Sequence, residues 1–222
     1  MENLDRELQA YLETDGDFPM IRHPLVFAVP FLEIPEEVDR VNKQLAAKKE
    51  MVDKALANRR WSEFVFLHER PYRIGAFQEI HPDMTDREYW PLLRDVWTDS
   101  ENIFQNHIEW WEALTSPRQR RVLFTSSADR AVLKKLPETI HVYRGTTQVE
   151  MDGHYLGFSW TLSEEKAVWF AKRFQRPSDG PPVIASADLL TKHAIGYIDG
   201  RGEQEIVVEP KELQRLDWEL AE

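Results

Sequence analysis

The 222-residue chain contains no cysteine. That absence excludes a disulfide framework, a cysteine-ligated zinc or iron–sulfur centre and a thiolate nucleophile, and it fits a reducing compartment. Cations are in deficit: 28 Lys and Arg against 39 Asp and Glu leave a formal net charge of −11 and a pI near 5.2. A surface of that sign opposes broad electrostatic capture of DNA, RNA or anionic membrane, though not a local basic patch. Long apolar runs are missing too. The longest, Leu25 to Leu32, is broken by Pro30 and falls far short of the ~18 residues a membrane span needs. The acidic start, Met1 to Glu7, lacks the basic-then-apolar pattern of a signal peptide. The seven histidines include no His-x-x-x-His pair, so no metal site is expected. Gly200-Arg201-Gly202 lacks the third glycine and following helix of a dinucleotide-binding Rossmann turn. There is no internal repeat and no low-complexity segment. The chain reads as a soluble, cytoplasmic globular protein, with eight Trp and eleven Phe to build its core.

Leu4, Leu8, Tyr11 and Leu12 predict a short amphipathic helix over residues 2–13, stopped by Asp15-Gly16-Asp17. Three prolines make 18–33 irregular, with an extended piece at Leu25–Val29. The clearest helix runs from Pro35 to Asn58. Pro35 suits its first position, Glu36 and Glu37 suit its positive end, and Val38, Val41, Leu45, Val52 and Leu56 recur at helical spacing. Residues 61–82 read as helix into loop. Thr85-Asp86-Arg87-Glu88 is a capping box opening a helix to residue 97, and a further helix covers 100–114. Their tryptophans, Trp90, Trp97, Trp110 and Trp111, are expected in the core. Arg118-Gln119-Arg120-Arg121 is the one dense basic cluster; a solvated face is its ordinary reading, and a nucleic-acid contact lacks the interleaved aromatics it would need. Asp129 to Leu136 is a short helix ended by Pro137.

From Thr139 onward the pattern changes to short β runs: Ile140–Tyr143, Tyr155–Thr161, Val183–Ala187, Ala194–Ile198 and Glu205–Val208. One helix, Ser163 to Phe174, interrupts them. A boundary is placed at 115–138, dividing a helical region, 1–138, from a β core, 139–222. The fold class expected is α+β, with the helical region packed on the sheet.

Three stretches in the β core carry candidate chemistry. Ile140-His141-Val142-Tyr143-Arg144-Gly145 ends an apolar strand in a planar, always-charged fork suited to phosphate, followed by a glycine that permits close approach. Read alone, it is a strand-end salt bridge. Gly157-Phe158-Ser159-Trp160-Thr161 places Ser159 and Thr161 on one strand face and leads into a helix. Thr161 with Glu164 fits a capping box, so capping is the expected work of Thr161 and Ser163, whereas Ser159 has no such role. Asp199-Gly200-Arg201-Gly202-Glu203-Gln204-Glu205 is a glycine-marked turn entering a β-branched run. Strand alternation sets Glu203 and Glu205 on one face. Two adjacent carboxylates repel, and on their own they read as a charged strand edge.

Taken in this order, Tyr143-Arg144-Gly145, Ser159-Trp160-Thr161 and Glu203-Gln204-Glu205 resemble the Arg–Ser–Glu class of mono-ADP-ribosyltransferases. Ala167-Val168-Trp169-Phe170-Ala171 is similar to bacterial and phage-encoded members. The resemblance covers about residues 139–210, and the departure is Thr161 where the family has a second serine. It implies a helical lobe before a split, mixed β-sheet core that cleaves NAD+ as co-substrate. It also implies that Arg144 holds NAD phosphates, Gly145 meets the carboxamide, and Ser159 orients the nicotinamide ribose and supports Glu205, with Thr161 counted among the cofactor-binding residues. Glu205 would stabilise the oxocarbenium character that develops at the sugar, as carboxylates do in glycosidases. Glu203 would engage the nucleophile, a glutamate there going with arginine acceptors. Phe174 and Arg176 fall where family members close over nicotinamide. The expected activity is therefore transfer of ADP-ribose to protein arginine by a toxin or phage-related effector, with an inhibitor or antitoxin protein as a further partner. A nucleic-acid acceptor, supported only by Arg118–Arg121, simple NAD+ hydrolysis and a non-catalytic interaction protein are the alternatives.

Overall fold

The computed structural model describes residues 3–101, 103–153, 156–173 and 180–221. The protein is α+β with antiparallel sheets, and it divides into two compact units, Met1–Ala113 and Leu114–Glu222. The division falls before the expected boundary segment, so all of 115–138 belongs with the β-rich unit. No helix among the described residues is long and apolar enough to cross a membrane.

The first unit begins with α1 (Arg6–Gln9), capped by the Asp5 carboxylate on Glu7 N. This helix is shorter than expected. After it, β1 (Leu12–Glu13), β2 (Met20–His23) and β3 (Val26–Ala28) form a three-stranded antiparallel sheet. The N-terminal region is thus not wholly helical; Ile21 and His23 in β2, and Val26 and Ala28 in β3, point inward with a period of two, a signal that three nearby prolines mask in the sequence. Helix α2 (Pro35–Ala57) matches its expected range. Val41, Leu45 and Ala55 are buried, and Val38 and Val52 pack partly against Leu8, Ile21 and Phe31. Leu56 is exposed, its expected inward place taken by Ala55. Helices α3 (Trp61–Leu67), α4 (Arg73–Ile80), α5 (Asp86–Asp99) and α6 (His107–Leu114) follow. The Thr85–Glu88 capping box is present at α5. Trp90, Trp97 and Trp110 are buried, with Trp97 edge-on to Trp110 at 5.0 Å between ring centroids, while Trp111 is exposed.

In the second unit the basic cluster does not form a helix. Arg120 sits at φ 63°, in the left-handed region, and a 3-10 turn, Arg121–Phe124, follows. Helix α7 (Ser127–Leu133) is capped by Ser126, whose hydroxyl accepts from Asp129 N. Six strands then build one sheet. In chain order they are β4 (Thr139–Thr147), β5 (Ser159–Thr161), β6 (Pro182–Leu190), β7 (Gly196–Ile198), β8 (Glu205–Val207) and β9 (Gln214–Leu220). The spatial order is β7-β8-β5-β4-β6-β9, and every pairing among the described residues is antiparallel, not mixed. Helices α8 (Gln148–Asp152) and α9 (Glu164–Arg173) connect strands of this sheet.

Register divides the sheet into two faces. Ile140 and Val142 share one face with Trp160, Ala185, Ala187 and Ile206, all buried in one apolar cluster. Trp160 is locked there, its indole N–H donating to Gly157 O at 3.0 Å. By alternation, Tyr143, Ser159, Thr161 and Glu205 take the opposite face. Edge strand β9 was not anticipated, although Leu216, Trp218 and Leu220 alternate with Arg215, Asp217 and Glu219. All seven of its residues are exposed. Its outward backbone is blunted where the Asp217 carboxylate accepts from Trp218 N at 2.8 Å.

Candidate functional site

Strand β5 is short: its three residues pair with β8 but only Thr161 pairs with β4, and its backbone directions set the site. Phe158 O accepts from Val208 N and Leu162 N donates to Gln204 O, so even-numbered residues turn their main-chain groups toward β8. Ser159 and Thr161 therefore turn theirs toward β4. Yet β4 and β5 are registered at Tyr143↔Thr161 alone. Beyond that pair the ladder is replaced by a side chain: Arg144 Nη1 donates to Ser159 O at 2.9 Å. Arg144 leaves β4 on the face of Val142 and Ala185, and its guanidinium turns into the opening beside β5.

Two glycines permit the close approaches here, Gly157 that of Arg144 and Gly145 that of α9. A Cβ on Gly157 would lie 2.8 Å from Arg144 Nη2 and 3.0 Å from Cζ, so the guanidinium lies against bare backbone. A Cβ on Gly145 would lie 2.1 Å from Ala167 O and 2.4 Å from Ala171 N. Helix α9 thus presses its own backbone onto β4, with Ala167 and Ala171 as its buried stripe and Phe170 half-buried. Gly145 permits this helix–strand contact and also pairs with Ile184 in the ladder.

Thr161 lies opposite Glu205, and Ser159 lies diagonally from it on the same face. Ser159 Oγ donates to Glu205 Oε1 at 2.5 Å, within the range of charge-assisted bonds. Glu205 is 5 % exposed, so its carboxylate is largely removed from water and depends on such donors. Ser159 consequently serves two charged groups, its carbonyl bonding Arg144 and its hydroxyl bonding Glu205.

The turn before β8 differs from the strand-alternation expectation. Strand β8 starts at Glu205, and Gln204 has φ 48°, in the left-handed region, after Gly202 at φ 66°. Alternation does not extend across Gln204, so it does not place Glu203 on the face of Glu205. Glu203 instead pairs with Arg201, whose Nε and Nη2 lie 3.0 and 2.8 Å from Oε2. The turn is pinned at three points. Gly202 N donates to Asp199 O at 2.9 Å, Gln204 N donates to Asp199 Oδ1 at 3.0 Å, and Thr161 Oγ1 donates to Glu203 O at 2.7 Å. Thr161 is therefore not the cap of α9. Its hydroxyl ties the turn to β5 and accepts from Ser163 N at 3.0 Å, while Ser163 Oγ accepts from Lys166 N at 3.3 Å and does the capping.

Arg144, Gly145, Ser159, Thr161, Glu203 and Glu205 thus converge on the adjoining strands β4, β5 and β8 and the turn that feeds β8. Phe174 and Arg176 lie outside the described residues. Gly157, Asp199 and Arg201 also belong to the site, although the sequence does not mark them out within the stretches 157–161 and 199–205. Nor does it mark out Thr146 and Glu150, which stand beside Arg144: the Thr146 hydroxyl donates to Glu150 Oε2, and Arg144 Nη2 is 3.7 Å from that oxygen. Among the described residues no group of three or more His, Asp or Glu is arranged to hold a metal ion. Chemically, the arrangement offers an anion-binding fork and a buried carboxylate held by a hydroxyl, joined through one serine. A second carboxylate, half-buried in the turn before β8, already accommodates a guanidinium. Compared with known proteins, the chain matches no family model, no curated protein and no solved structure.

Proposed function

We propose that this protein is a mono-ADP-ribosyltransferase that cleaves NAD+ and transfers ADP-ribose to protein arginine. The observation that carries the reading is the double use of Ser159, which ties Arg144 to Glu205. An NAD+ molecule demands this combination: an anchor for its diphosphate and, at ribose distance, a fixed carboxylate. Arg144 supplies the fork for phosphate oxygens. The carboxamide end of the dinucleotide comes against Gly145, and Ser159 orients the nicotinamide ribose. Nicotinamide departs as a neutral group from a cationic N-glycoside, so the bond from C1′ to the ring nitrogen breaks without a general acid. Positive charge grows on the ribose, and Glu205, already oriented and desolvated, stabilises it. Glu203 receives the acceptor guanidinium and takes the proton lost as the new C1′–N bond forms. Its pairing with the Arg201 guanidinium supports an arginine acceptor over a nucleic acid. The net charge of −11 supports the same choice.

Labelled NAD+ incubated with cell protein, RNA or DNA, using wild type and Glu205→Gln, tests the reading. Label on protein arginine with wild type and its loss with Glu205→Gln, by about a hundredfold or more, is expected. No consumption of NAD+ under any acceptor condition refutes the enzymatic reading. Free ADP-ribose with no labelled macromolecule marks a hydrolase, and label on nucleic acid reassigns the acceptor.

A further inference from the structure

Arg144 is a guanidinium with unfilled capacity. Its side chain is 18 % exposed, and one nitrogen, Nη1, bonds Ser159 O. Nε is buried with no hydrogen-bond partner among the described residues. The carboxylate nearest to it, Glu150 Oε2, stands 3.7 Å from Nη2, inside ion-pair range but beyond a hydrogen bond. A largely buried arginine normally fills its fork; Nε is sealed from solvent, and Nη2, which is not, is the donor open to an acceptor that arrives from outside.

Glu150 is held where it stands. Thr146 and Arg144 are two apart on β4 and so share a face, and the Thr146 hydroxyl donates to the same Oε2 that approaches Arg144. Helix α8 folds back directly after β4, with Thr147 Oγ1 accepting from Glu150 N at 3.3 Å as its cap. The carboxylate is 35 % exposed and need not be desolvated to remain.

From this we infer that Glu150 is a resident competitor for the anion site of Arg144, a positioning residue that keeps the fork oriented and lowers its affinity for a diphosphate. The inference deepens the proposed function by naming a residue that tunes dinucleotide affinity. A diphosphate placed on Arg144 comes within a few ångströms of Glu150, and like charges at that separation repel appreciably even in a partly solvated site. Thr146 keeps the carboxylate from swinging away when the ligand arrives. The arrangement favours release of the diphosphate-bearing product over tight retention.

The test is equilibrium binding of inorganic pyrophosphate at fixed ionic strength to wild type, Glu150→Gln and Arg144→Lys, with NAD+ kinetics beside it. Glu150→Gln keeps the acceptor for Thr146 and removes the charge. It should lower the Kd for pyrophosphate roughly tenfold, with an unchanged melting temperature. The KM for NAD+ should fall by a similar factor while kcat stays the same or drops, because product leaves more slowly. Arg144→Lys should abolish the gain from Glu150→Gln in the double variant. Equal Kd for wild type and Glu150→Gln, a higher Kd for the variant, or no binding by either overturns the inference. If pyrophosphate binding behaves as expected and NAD+ is never consumed, the enzymatic reading fails and the role of Glu150 stands.

Discussion

Ser159 does through two atoms what the residue identity alone does not reveal. Its hydroxyl bonds Glu205, while its main-chain carbonyl bonds Arg144. Ser159→Ala removes only the first. Pyrophosphate binding should therefore persist in that variant while NAD+ cleavage falls about tenfold to a hundredfold, measured by nicotinamide release. The two glycines of the site separate in the same way. Gly145→Ala drives a Cβ into backbone atoms of α9 that cannot yield, 2.1 Å from Ala167 O, so the fold itself should lose about 3 kcal/mol, read from the denaturant midpoint. At Gly157 the obstructing atoms are the end of a flexible side chain, Arg144 Nη2 at 2.8 Å. Gly157→Ala should leave the midpoint within about 1 kcal/mol of wild type and weaken pyrophosphate binding instead.

At the scale of elements, the site depends on how β5 ends and how β8 begins. Helix α9 starts at Glu164 because Ser163 caps it, and Ser163→Ala should cost about 1 kcal/mol of stability. Thr161 holds the turn before Glu205 through Glu203 O, so Thr161→Val should cost transfer to the acceptor more than cleavage of NAD+. The ratio of labelled acceptor to free ADP-ribose reads this directly. Equal loss of both activities would remove the special link between Thr161 and Glu203. The turn also explains why two glutamates two residues apart need not be alike. A left-handed residue between them, Gln204, leaves Glu205 buried in the sheet and Glu203 half-buried in the turn, paired with Arg201.

At the scale of the whole molecule, pH reports on the sheet that carries the site. Tyr197 in β7 is 3 % exposed, and burial, followed by the adjacent Asp199 carboxylate, pushes its phenol from 10.0 up to about 12. Between those values the folded chain keeps a proton that the unfolded chain has released. The contribution is fully present below about pH 10 and is lost as pH rises through about 12. Unfolding free energy should thus decline over that window in wild type and decline less in Tyr197→Phe, measured by urea denaturation at stepped pH. Because Asp199 also pins the turn before Glu205, the same alkaline window should see loss of NAD+ cleavage.

Periodicity and turn chemistry were enough to place α2, the strands near residues 140, 160, 184, 197 and 206, and the helix between them. These are local properties: side-chain spacing, a proline at a helix start and glycines at turns act within a few residues. Arg144, Ser159 and Glu205 were singled out by the resemblance of three ordered motifs, whereas the stretches of Arg144 and Glu205 read alone as a strand-end salt bridge and a charged strand edge. Of the first sheet, β3 falls in the extended piece expected at Leu25–Val29, but β1 and β2 escaped because prolines obscured a short alternation, and β9 escaped because its alternation has no buried face to enforce it. What the order of residues cannot contain is which backbone groups remain unpaired when strands diverge. That β4 and β5 pair at one position, that Arg144 then fills the gap, and that Glu150 returns to face it are decided by long-range register. Strand faces follow from a period of two within one strand, but the company a side chain keeps follows from pairing between strands far apart in sequence.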